Sequence, residues 1–207
     1  MTPEEVETLF TREDGQFAFA RWGRSIAPVI FGIDDATLSV VKGAFEAVVA
    51  LAGHEMAETD MELGSNCMVF FFRDWDELSH VPKLDQLVPD LAALVGRLQE
   101  QGANQYRGFR FDKYGAIRAA FVFLRMDDDL SDMPVEVVAL GQVVQTILLW
   151  SDVAFRTRSP LAMADKTTVL RPDIAGVIRA AYDPMLPVSG NDAALALRIF
   201  ARLEPDQ

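Results

Sequence analysis

The stretch "GQVVQTILLWSD", Gly141–Asp152, decides how this chain is read. With the residues before it, "PVEVVAL" (134–140), it forms a helical pattern from about 134 to 150. Val137, Leu140, Val144, Ile147 and Leu148 make one apolar side. Val138, Val143, Leu149 and Trp150 carry apolar surface around most of the remaining circumference. A helix that is apolar nearly all round is buried on most sides. Its polar exceptions, Gln142, Gln145 and Asp152, are spaced by 3 and 7 residues and fall along one stripe. From this helix alone the stripe reads as the wet face. Were it buried, each amide would need a partner, because an unsatisfied buried polar group costs about 1–3 kcal/mol.

The flanking sequence gives this helix a sheet to pack on. Downstream of a polar lead-in (1–15), "QFAFARWGRSIAPVIFGI" (16–33) alternates and then turns apolar, the pattern of one or two strands. Pro28 suits a strand start or an edge. "DDATLSVVKGAFEAVVALAG" (34–53) is an amphipathic helix, with Asp34 or Asp35 as N-cap and Gly53 as its stop. "HEMAETDME" (54–62) is expected to run as a strand, and "NCMVFFF" (66–72) as a short buried one. A helix in "PDLAALVGRLQEQG" (89–102) precedes two strands, "QYRGFRFD" (105–112) and "AIRAAFVFLRM" (116–126), with a tight turn at Gly115. After the central helix come a loop-rich stretch (151–169) and two helices, in 171–182 and 191–203. Strands with a crossover helix, followed by a helical half, indicate a single α+β domain over 16–207 with a mixed twisted sheet and packed helices.

Composition removes several function classes. Half of the 207 residues are hydrophobic, enough for a core without disulfides or metals. The net charge of -12 repels a phosphate backbone, and the arginines are scattered along the chain with no basic run, so nucleic acid is not expected as a partner. No stretch of about 18 apolar residues suggests a membrane span. The acidic start "MTPEEVETLFTREDG" has no basic-then-apolar leader, which points to a cytoplasmic protein.

Chemistry-bearing residues are sparse. His54 and Glu58 share a face on a strand, but about 13 Å apart, too far to share an ion bound at about 2 Å. His80 has no ligand-like neighbour. The cluster "MDDDLSD" (126–132) lacks the central glycine and closing glutamate of a calcium loop and reads as an acidic helix start. Ser25 has no histidine base in view. Cys67, the one cysteine, sits in an apolar strand that would raise its pKa. No cofactor motif is present, and no cofactor is expected.

The spacing in 141–152 fits the zinc-peptidase pattern His-Glu-x-x-His-x-x-Gly-x-x-His, often followed by Asp, with Gly141, Gln142, Gln145, Leu148, Ser151 and Asp152 at its positions. Together with the order of elements over roughly 20–203, this resembles a proteobacterial family of unknown function whose members look like metzincin-type peptidases that have lost zinc. Many of those members are predicted to be exported. Their helix reads Glu-Glu-x-x-Gln-x-Leu-Gly-Leu-x-Asn-Asp, with a Tyr-Asp-Pro segment before a last helix. Gln145, Asp152, Tyr182, Asp183 and Pro184 match that pattern; Gly141, Gln142, Leu148 and Ser151 depart from it. With Leu148 in place of the turn glycine, the helix is expected to run straight to Trp150.

The resemblance implies a zincin-like fold with a helical C-terminal part. It also implies a non-catalytic domain that binds a peptide or protein beside Gln142, Gln145, Asp152, Tyr182 and Asp183. Zinc is disfavoured by the ligand set itself, since Gly141 has no side chain and neutral Gln and Ser are poor ligands. Two alternatives stay open. One is a metal-independent hydrolase, or another enzyme with an unrecognised site such as Cys67. The other is a structural protein that joins a partner or a second copy of itself.

Overall fold

The computed structural model describes residues 1–165 and 167–203; Lys166, in the expected loop-rich stretch, and 204–207, the end of the expected domain, lie outside them. In chain order the elements are α1 (Pro3–Thr8), β1 (Phe19–Ala20), β2 (Pro28–Phe31), α2 (Asp35–Leu51), β3 (Cys67–Phe72), a 3-10 turn (Trp75–His80), α3 (Leu84–Leu87), α4 (Leu91–Glu100), β4 (Gln105–Phe111), β5 (Ile117–Arg125), α5 (Asp128–Ser131), α6 (Val135–Thr146), β6 (Leu161–Ala164), β7 (Thr167–Leu170), α7 (Pro172–Ala181), β8 (Ser189–Gly190) and α8 (Ala194–Phe200). The chain is an α+β protein built on a mixed sheet of order β2-β3-β5-β4. Strands β2, β3 and β5 are parallel, and β4 runs antiparallel to β5 at the edge. Two short antiparallel pairs, β1 with β8 and β6 with β7, lie apart from it.

The apolar strand "CMVFFF" is buried because helices cover both faces of the sheet. Alternation along β3 sends Cys67, Val69 and Phe71 into one core, and Phe70 and Phe72 into another. Likewise, β5 sends Ala120, Val122 and Leu124 one way, Phe121 and Phe123 the other. The larger core is filled from α1, α2, α6, α7 and α8, and the smaller from the 3-10 turn, α3 and α4. Val6 and Phe10, both fully buried, tie the polar lead-in into the larger core.

Local chemistry sets the ends of the elements. Asp34 caps α2 by accepting Thr37 N–H at 2.7 Å, and Gly53 follows the helix at φ +63°. Asp127 caps α5 by accepting Leu130 N–H, so the acidic connector is a helix start. Gly32, at φ +84°, lets the chain leave β2 hard against the Phe71 carbonyl, which an added Cβ would meet at 1.9 Å.

Three expectations are corrected. Residues 54–62 form no strand, only isolated bridges of Met56 with Ile26 and of Asp60 with Gly64, because Asp60 gathers the Glu62 and Leu63 N–H groups into a turn. The loop-rich stretch contains the β6–β7 hairpin. Most consequentially, α6 ends at Thr146 and does not reach Trp150: Leu148 is extended and bridged to Arg21, and Leu149 N–H bonds Ala20 O at 2.9 Å. No glycine is needed, because side chains take the carbonyls that the end of a helix orphans. The Trp150 indole N–H donates to Val144 O (2.7 Å), the Trp22 indole N–H to Thr146 O (2.9 Å), and the Tyr182 hydroxyl to Ile147 O (2.9 Å).

Candidate functional site: the groove along the edge strand

One edge of the sheet is open. The Arg125 N–H bonds Asn104 O, which fixes the antiparallel phase: Tyr106, Gly108 and Arg110 face β5, while Gln105, Arg107 and Phe109 present their backbone N–H and C=O outward. Among the described residues no strand pairs with that side. The chain from Leu149 to Pro160 runs opposite it, and a groove of about 920 Å³ lies between. Gln145, Leu149, Trp150, Ser151 and Asp152 line it on the helix side.

The glutamine stripe of α6 faces this strand, not bulk water. Gln142 is only 7 % exposed. The two amides hold one guanidinium: Arg107 Nη1 donates to Gln142 Oε1 at 2.5 Å, and Nη2 to Gln145 Oε1 at 2.6 Å. Gln142 Nε2 donates in turn to Gln105 Oε1 (2.7 Å), and Gln145 Nε2 to Gly141 O (3.2 Å). Thus no amide is stranded, and the buried-stripe condition is met by a residue the sequence had not singled out. Arg107 was legible only as a polar residue alternating with Gln105 on a strand. Its pairing with the i, i+3 amides needs the register of β4 against α6. Burial lowers the Arg107 pKa to about 10.

The remaining site residues divide. Asp152 lies in the groove, its Oδ1 accepting Glu13 N–H (3.1 Å). Ser151 is buried and donates to Thr11 O at 2.7 Å. Tyr182 and Asp183 are elsewhere. The Tyr182 hydroxyl is spent on Ile147 O and on Trp22 N–H; burial raises its pKa. Asp183 pairs with Arg202 (2.6 Å), and its pKa is lowered by the Met185 N–H and then by Arg202. The single cleft expected beside all five residues is therefore divided: Gln145 and Asp152 line the groove, Gln142 supports it from beneath, and Tyr182 and Asp183 belong to the packing at the end of α7.

Outside the groove, Cys67 and His54 are both packed inside the fold. Cys67 is fully buried, and burial pushes its thiol up to about 12, far from the thiolate a nucleophile requires. His54 Nε2–H donates to the Arg24 carbonyl (2.9 Å), and the ring packs on Tyr182; burial is the main cause of its lowered pKa. Among the described residues no group of three or more His, Cys, Asp and Glu is placed to hold a metal ion, and no helix is long and apolar enough to cross a membrane. A scan against protein-family models finds no match, and searches of curated proteins and of solved structures find no significant match.

Proposed function

We propose that this protein is a non-catalytic binding domain on a degenerate zinc-peptidase-like fold, and that it holds an extended peptide as an added strand along the edge of β4. The observation that carries this reading is the open edge at Gln105, Arg107 and Phe109 facing a groove whose helix side carries the metzincin spacing. Main-chain hydrogen bonds along such an edge supply affinity, and alternate side-chain positions supply selectivity. Supporting the zincin-like relation, the helix with that spacing follows an antiparallel edge strand and packs its polar stripe against it. Gly141, Gln145 and Ser151 stand where zinc ligands would, and Ser151 is engaged with Thr11. A chain with this ligand set keeps the peptide-holding edge and lacks the means to activate water.

Amide exchange measured by NMR tests the reading, with a pool of random decapeptides as the probe. Binding slows exchange at Arg107 and Phe109, whose N–H groups point outward, and leaves Tyr106 and Gly108, already in the ladder, unchanged. An equal response at all four, or none with any peptide, sinks the proposal.

A further inference from the structure

The groove is lined by a cluster of arginines. Arg12, Arg107, Arg110, Arg156 and Arg158 line it, with Asp152 as the one acid among its lining residues. This gathering corrects the impression of scattered arginines, because arginines from three separate segments meet here in a chain of net charge -12. Arg156 is held by Glu13 and Arg158 lies 3.8 Å from Asp173, both at the outer rim.

Arg107, which lines the groove, and Arg21, which lies outside it on the Tyr182 and Leu186 carbonyls, differ from the other inward arginines. Arg24, Arg118, Arg125, Arg171 and Arg202 each have a carboxylate partner. Arg107 has only the neutral oxygens of Gln142 and Gln145. Two amides fix the planar fork and leave its charge unbalanced. A guanidinium has five N–H donors, and these contacts use two, so about three remain. Desolvated charge of this kind is stabilised by an anion of matching planar geometry, which a carboxylate provides.

Building on the edge-strand reading, we infer that the groove selects acidic peptides, with a carboxylate of the bound strand seated on Arg107 and the rim arginines drawing the acidic segment in. The carboxylate is either an Asp or Glu side chain or a free C-terminus, and the two sources are separable.

The test uses the full chain and three labelled decapeptides of one Val/Thr-rich background: one with alternating Glu and an amidated end, its Gln counterpart, and a neutral one with a free C-terminal carboxylate. Fluorescence anisotropy should show the Glu peptide binding about tenfold or more tighter than the Gln peptide, the size of one charge-assisted hydrogen bond. A matching gain for the free-ended peptide assigns the site to a C-terminus instead, and either result supports carboxylate selection. Arg107→Gln should bring the acidic and neutral affinities together while the neutral peptide still binds. Because Arg107 supports packing, Arg12→Gln at the exposed rim serves as the second variant and should shrink the preference in part.

Equal binding of all three peptides overturns charge selection and leaves the edge-strand reading intact. No binding by any of them removes both. A preference that survives both variants overturns the assignment to these arginines. Tighter binding of a dT10 oligonucleotide, or a concentration-dependent dimer that the Glu peptide fails to dissociate, gives the edge to a nucleic acid or a second copy and overturns the inference.

Discussion

Arg107, Asp60 and Tyr182 show how much a single residue's role depends on what surrounds it. Arg107 is one arginine among many in the sequence, yet two amides 35 and 38 residues away orient it. Tyr182 matches a family pattern by name, and its hydroxyl donates to Ile147 O at the end of α6 and accepts the Trp22 N–H. Asp60 looks like one acid of many in "AETDMELG", but its side chain is only 6 % exposed. Burial raises its pKa; the Leu63 and Glu62 N–H groups, Arg24 and Asn66 together outweigh burial and hold it at about 2, against 3.8 for a free side chain. A depressed carboxyl contributes stability above the unfolded value, and that contribution is lost as pH falls through the folded one. Urea midpoints should therefore drop between about pH 4 and pH 2 more steeply in the wild type than in Asp60→Asn. Parallel pH profiles of the two proteins would refute this assignment.

At the scale of elements, the informative feature is where α6 stops. The sequence carries no glycine or proline to halt it after Thr146, and local pattern favours continuation to Trp150. Tertiary partners override that preference: two indoles and a phenol occupy the terminal carbonyls, and β1 captures the Leu149 N–H. Trp150→Phe preserves an aromatic ring against Phe10 but deletes the bond to Val144 O. It should cost about 1–3 kcal/mol in urea unfolding, the range for a buried acceptor left unpaired. A loss within measurement error would mean that something other than these caps ends the helix. The early ending matters for the site, since it lets the chain from Leu149 onward turn back and form the far wall of the groove.

At the scale of the molecule, the sheet separates two apolar cores and leaves β4 as an uncovered border. Open strand edges invite pairing, and proteins commonly guard them with charge. Here the guard is a set of arginines around the groove, consistent with an edge reserved for an acidic strand. Among the described residues no group of three or more His, Cys, Asp and Glu is placed to hold a metal ion. Melting temperatures measured in excess zinc and in chelator should coincide, because a ligand stabilises only a fold that binds it. A stoichiometric ion with a raised melting temperature would reverse the non-catalytic reading.

The sequence by itself determined the α+β class, a cap at Asp34 or Asp35, the stop at Gly53, a short buried strand within 66–72 and the edge-compatible Pro28. These follow from hydrophobic period and from backbone chemistry within a few residues, which a linear reading captures. Only the tertiary structure decided the end of α6, the division of the expected cleft, and the seating of Arg107 on Gln142 and Gln145. Each of these depends on hydrogen bonds between groups tens of residues apart, where strand register and the packing of helix on sheet, not local preference, choose the partner.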